Sequence, residues 1–236
     1  MGSFAMVDCT TWAHGYDLTT DLNQLAMKFD ADDLERTTFG SRYKKRTGGL
    51  RNTELNLAGY YTTDVDAAQF PALGVSDRVL TMTPDGLAGS VAYMVQIGNF
   101  KYELFDEVGS MTPFSLDCMG TSKAGVVRGR VAAAKQTVNA TGPFGTAVHL
   151  SAAGSTDFVY ATLHVFSAGT TATVKLQSDV AADFASPTDV ATFSAATTAG
   201  GLWLPRHAGP NTDTYYRFNV SAITGSFTLA GAIGVQ

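Results

Sequence analysis

Charge is scarce in this chain, and cysteine scarcer. Lys, Arg, Asp and Glu make up 16% of its 236 residues, against roughly a quarter in an average soluble domain. A surface with few charges suits a subunit covered by neighbours. Two cysteines, Cys9 and Cys118, are too few for a disulfide-stapled secreted scaffold and lack metal spacing. Both read as reduced thiols. No stretch approaches the roughly 18 continuous apolar residues of a membrane span. Met1 to Asp8 has no basic run followed by an apolar one, so no export signal is expected. A net charge of −5 leaves out the basic footprint that tight binding to duplex nucleic acid requires.

Residues that carry chemistry are equally sparse. His14, His149, His164 and His207 are the only histidines, and no pair has metal-site spacing with a nearby carboxylate. His164 alternates with Leu163 and Val165 and so reads as a surface residue. Asp32, Asp33 and Glu35, like Asp106 and Glu107, sit beside turns and read as solvated charge. Gly48-Gly49 and Gly200-Gly201 read as turns, since neither opens a helix in a phosphate-cradling pattern. Without a nucleophile and base constellation, the chain is expected to have no catalytic residues, no metal and no cofactor.

What is present is strand. Leu25, Met27 and Phe29 alternate with Gln24 and Lys28, and Thr53, Leu55 and Leu57 alternate with Asn52, Glu54 and Asn56. This is the period of a half-buried sheet. Residues 91–97 and 125–131 read as further strands. Residues 64–70, acidic at the start and stopped by Pro71, are the one persuasive helix. Thr37 to Gly49 has no apolar period and reads as a long protruding loop carrying Arg42, Tyr43, Lys44, Lys45 and Arg46. Those cations, with Arg51, suit docking onto an acidic neighbour better than a nucleic-acid patch in an acidic chain.

Composition shifts near residue 135: the first 135 residues hold 13 of the 16 Lys+Arg and 16 of the 21 Asp+Glu. The small polar stretch 134–143 ends in Gly142-Pro143 and reads as a linker between a domain at 1–133 and a second at 144–236. Short strands and turns at 158–166, 172–177, 189–193, 202–204, 215–222 and 227–235 predict a β-sandwich there. Its Trp203, Tyr215 and Tyr216 look exposed and could stack on sugar rings, although core packing or a protein interface accounts for them as well.

An ordered series in the first domain resembles the major tail tube proteins of long-tailed bacteriophages, a family related in fold to the type VI secretion tube protein. The series runs Tyr16-Asp17-Leu18-Thr19, then Asp33-Leu34-Glu35-Arg36-Thr37-Thr38-Phe39-Gly40-Ser41, then Gly49-Leu50 and Leu55 to Tyr60. Gln69-Phe70, Ala88 to Tyr93, Pro113-Phe114-Ser115-Leu116 and Val127-Arg128-Gly129 follow. It covers residues 15–131, and the second domain is similar to the accessory sandwiches of some such proteins. The resemblance implies an all-β fold: a tail-tube-type sandwich or half-barrel with one short helix, followed by a second β-sandwich. It implies a structural virion protein of the tail, assembled in the host cytoplasm. Its copies would close into rings of six, or three if the domains act in tandem, that stack into a conduit for genomic DNA. The implied partners are further copies, the tape measure, terminator and distal tail proteins, and DNA that passes without specific binding. On this reading Arg42 to Arg46 mediate stacking, while Gln24, Lys28, Asn52, Glu54 and Asn56 line the channel. The alternative is a virion or cell-surface carbohydrate-binding β-sandwich protein.

Overall fold

A computed structural model describes residues 9–39, 42–104, 111–204 and 206–236. The described chain is nearly all strand: β1 (Thr10–Ala13), β2 (Tyr16–Asp17), β3 (Leu22–Glu35), β4 (Arg46–Tyr60), β5 (Arg78–Thr83), β6 (Val91–Leu104), β7 (Pro113–Gly120) and β8 (Val127–Val138). Then come β9 (Gly142–His149), β10 (Phe158–Ser167), β11 (Thr171–Asp179), β12 (Thr188–Thr192), β13 (Gly200–Trp203), β14 (His207–Ala208), β15 (Tyr215–Thr224) and β16 (Phe227–Val235). Among the described residues a single α-helix, α1 (Thr63–Gln69), follows β4 and continues into a 3-10 turn, Phe70–Ala72. The Thr62 hydroxyl caps α1 by accepting from the Val65 N–H at 3.2 Å. Asp64 and Asp66 complement the positive end of the helix dipole in its first turn.

The chain divides into two units. One comprises Asp21–Asp77 and Ile97–Gly125. Here β3 pairs with β4, β4 with β7, and β7 with β6 from Ile97 onward, all antiparallel. The register places Leu57 opposite Leu116, and Leu55 opposite Cys118, on one face. Those four side chains are at most 2% exposed. Helix α1 lies over that face: Gln69 is linked to Asn99 at 3.3 Å, and the Tyr102 hydroxyl donates to Asp66 at 3.2 Å. Gly59 has to be glycine, since a Cβ there would lie 1.9 Å from the Asp21 carbonyl oxygen.

The other unit comprises the chain up to Thr20, Arg78–Gln96 and Val126–Gln236. One sheet runs β13-β10-β16-β8-β6-β5-β1-β2, and a second runs β12-β11-β15-β9. They pack face to face through Ala161, Leu163 and Val165 on the first sheet and Val174, Leu176 and Phe218 on the second. Phe218 stacks on Phe144 with ring centroids 5.5 Å apart. The first sheet also curls, bringing Thr81 of β5 within 3.0 Å of Thr162 of β10.

This arrangement corrects the division at 134–143. Strand β8 continues through Val138, and β16 pairs along it from Phe227↔Val138 to Gly234↔Gly129. Lys135 binds Asp17 at 2.8 Å. Residues 134–138 are therefore sheet, not tether, and 139–141 alone connect β8 to β9. The C-terminal strands do form a sandwich, but half of it is one continuous sheet with N-terminal strands. The small side chains Ala132 and Ala133 just before this segment are buried in the core between the two sheets. Within the sheet, Gly129 lets β8 approach β16 closely: a Cβ would lie 2.1 Å from the Ile233 oxygen.

Candidate self-association surface

Strand β3 is an edge. It pairs with β4 and with no other described strand. Cross-strand pairs Leu25↔Leu57, Met27↔Leu55 and Phe29↔Thr53 share one face of the sheet, yet burial falls off outward. Leu55 and Leu57 are 2% and 1% exposed; Leu25 and Met27 are half-buried, and Phe29 is 52% exposed. The apolar face of this pair of strands is thus buried on β4 and only partly covered on β3. Helix α1 covers the inner strands and leaves the outer strand's apolar face partly bare. Further along the hairpin, Leu34 and Leu50 are also exposed.

The hairpin is longer than the sequence suggests. Pairing continues to Leu34↔Thr47 and Glu35↔Arg46, so strand replaces the last four residues of the expected loop. The Arg36 N–H donates to the Lys45 carbonyl at 2.7 Å, and the Lys45 N–H to the Thr37 hydroxyl at 3.3 Å. Gly40 and Ser41 lie outside the described residues. The basic cluster is partly neutralised within the hairpin: Lys44 pairs with Glu35 at 3.1 Å, and Arg46 pairs with Asp33. Asp33 and Glu35 are thus ion-pair partners, whereas Asp106 and Glu107 lie outside the described residues. Arg42 and Lys45 form no ion pair among the described residues, and Tyr43 is 83% exposed.

Gln24, Lys28, Asn52, Glu54 and Asn56 share the opposite, polar face, through Gln24↔Ala58, Lys28↔Glu54 and Asp30↔Asn52. Lys28 reaches Asp30 at 2.6 Å and Glu54 at 3.7 Å. These carboxylates, led by the Asp30 hydrogen bond, hold the Lys28 ammonium above its ordinary pKa. The face extends beyond the five residues read from sequence. Asn56 donates to Asp117 of β7 at 2.5 Å, and Lys101 of β6 lies 2.8 Å from Glu103 and 3.7 Å from Asp117. Two lysines thus face four carboxylates, Asp30, Glu54, Glu103 and Asp117. A signal was available for the four charged groups absent from those five, because Asp30, Lys101, Glu103 and Asp117 each fall on a period-two position.

His164 is fully buried, correcting its reading as a surface residue. Strand β10 is covered on both faces, so alternation along it does not separate core from solvent. Its Nδ1 lies 2.8 Å from the His14 carbonyl oxygen and therefore donates, leaving Nε2 to accept from the Thr81 hydroxyl at 2.8 Å. Burial pushes its pKa down to about 4, partly offset by the hydrogen bond to His14. Tyr216 is buried as well, while Trp203 and Tyr215 are half-buried, so the three aromatics present no common stacking platform. Cys118 is buried with its thiol 3.2 Å from the Asn99 oxygen, and Cys9 is a half-buried free thiol.

No known family model matches the sequence, and no curated protein matches it. Among solved structures, the chain is similar to a component of the virion of a native gene transfer agent particle. That match has a TM-score of 0.43 and 15% identity, and covers 51% of this chain and 95% of the other. It is similar to a component of the tail of an empty particle of the same kind, refined with C6 symmetry, at TM-score 0.42 and 14% identity over 51% and 96% of the two chains. A third likeness is to the Dit protein of phage SPP1, described as a hub of the adsorption apparatus in phages infecting Gram-positive hosts. Its TM-score is 0.41 at 13% identity, over 95% of this chain and 98% of that one.

Proposed function

We propose that this chain is a structural subunit of a phage tail that associates with copies of itself into rings, which stack into a tube through which DNA passes. The observation that carries the reading is β3: a 14-residue edge strand whose apolar face is only half covered. Such an edge is an open template for another strand, and closure into a ring removes it. The polar face of the same sheet then supplies the bore. Two lysines against four carboxylates offer few cations to exchange for the counterions condensed on DNA, so the duplex slides without specific binding. Arg42 and Lys45, with Tyr43 at the hairpin end, are placed to dock on an acidic surface of the next ring. The further partners on this reading are the tape measure, terminator and distal tail proteins, and the protein resides in the virion tail.

Light scattering and negative-stain microscopy of the purified chain test the proposal. Rings are expected from the unaltered protein, and a folded monomer from Leu25→Asp combined with Met27→Asp. A wild-type chain that stays monomeric at high concentration and in particles would sink the reading. A second variant, Glu54→Lys with Asn56→Lys, tests the bore: assembly proceeds but DNA release slows, because every ring adds cations to the wall.

A further inference from the structure

Between the start of β8 and the exit of β9 lies a cleft of about 350 Å³ that no part of the proposed assembly uses. Its polar lining is Arg128, Arg130, His149 and Ser151, and no carboxylate side chain among the described residues lines it. We infer that this cleft binds a phosphate-type oxyanion.

Alternate residues of a strand leave on the same side, so the two arginines stand side by side, roughly 7 Å apart along β8. The register fixes them further, with Tyr93 opposite Arg128 and Val91 opposite Arg130. Arg130 is positioned by its Nη1, which donates to the Gly89 carbonyl at 2.7 Å and leaves its other N–H groups for a ligand. Arg128 makes no ion pair among the described residues. From the other side come His149, whose ring packs 4.8 Å from Tyr215, and the Ser151 hydroxyl.

Like charges on one strand face repel. The chain has 21 acidic residues against 16 basic ones, yet none of the described acidic ones lines the cleft. An incoming anion completes the arrangement. A carboxylate is satisfied by one guanidinium fork, whereas a phosphate has oxygens enough for two guanidiniums and a further donor. The number of donors lining the cleft therefore favours phosphate.

The test is titration of the full chain with inorganic phosphate and, separately, with short-chain polyphosphate, followed by calorimetry and by the His149 ring resonances. Saturable binding at one site is expected. The Arg128→Ala, Arg130→Ala double variant should weaken it at least tenfold, while Lys123→Ala leaves it unchanged. Thermal melting shows whether the double variant is folded, and Arg130→Gln alone gives a second reading if it is not. Comparable affinity for both probes identifies the free ion as ligand; tenfold tighter polyphosphate binding identifies a phosphate carried on a polymer. Absence of saturable binding of either probe, or binding that survives loss of both arginines, would overturn the inference.

Discussion

Strands β10 and β3 each carry a row of large apolar side chains, Leu163 and Val165 on one and Leu25, Met27 and Phe29 on the other, and the rows meet opposite fates. In β10 seven consecutive residues, Val159 to Val165, are buried, and even a histidine and a threonine are shut in. In β3 no residue is fully buried, and Leu25, Met27 and Phe29 are left partly in water. One strand is covered by sheet on both sides and finds every partner inside the chain. The other has a helix over its neighbours and nothing comparable over itself. A row of apolar side chains alone therefore does not say which surface a protein keeps and which it offers.

The contrast is open to direct tests, the largest being removal of everything after Ala134. If the 134–143 segment were a tether, the shortened protein would fold. Because β16 and β10 complete the sheet that contains β8, the expected outcome is loss of cooperative unfolding and of the native circular dichroism spectrum. Retention of a sharp thermal transition would restore a separable first domain.

Single truncations sharpen the same comparison. Leu163→Ala in β10 should cost about 2–5 kcal/mol in denaturant unfolding, as for a fully packed leucine. Leu25→Ala in β3 should cost under about 1.5 kcal/mol in the free subunit, because much of that side chain's area is already hydrated. The order should reverse in assembly, where Leu25→Ala weakens ring formation more than its effect on stability suggests.

The buried histidine gives a pH test. With its pKa lowered to about 4, His164 takes up its proton more readily in the unfolded chain. Its contribution to stability is complete above about pH 6.5 and is lost as the pH falls toward 4, at up to about 1.4 kcal/mol per pH unit. His14, lowered by burial and by Arg78, acts in the same direction. Denaturant midpoints measured between pH 7 and 4 should therefore fall, with a shallower slope in His164→Gln.

The smallest expected effect on stability is at the hairpin end. Lys44 and Arg46 pair with Glu35 and Asp33 across exposed strands, and such pairs are worth at most about 1 kcal/mol. Changing Lys44, Lys45 and Arg46 to Glu should leave the melting temperature within a few degrees while blocking stacking. A collapse of stability instead would show that the pairs hold the hairpin together.

The sequence by itself determined whatever depends on neighbours along the chain. Period-two alternation set β3 and β4 and divided Leu55 and Leu57 from Glu54 and Asn56. An acidic start and a following proline set α1, and turn residues separated the C-terminal strands. Only the tertiary structure decided which strands pair across long separations and which faces end up covered. Alternation says that two faces differ, not whether each will meet water. The burial of His164 and Tyr216, the joining of Lys101, Glu103 and Asp117 to the polar face, and the capture of 134–138 by β16 all depend on partners dozens of residues away. A period of two carries no information about those partners, because the hydrogen bonds and packing that select them exist only once the sheets have formed.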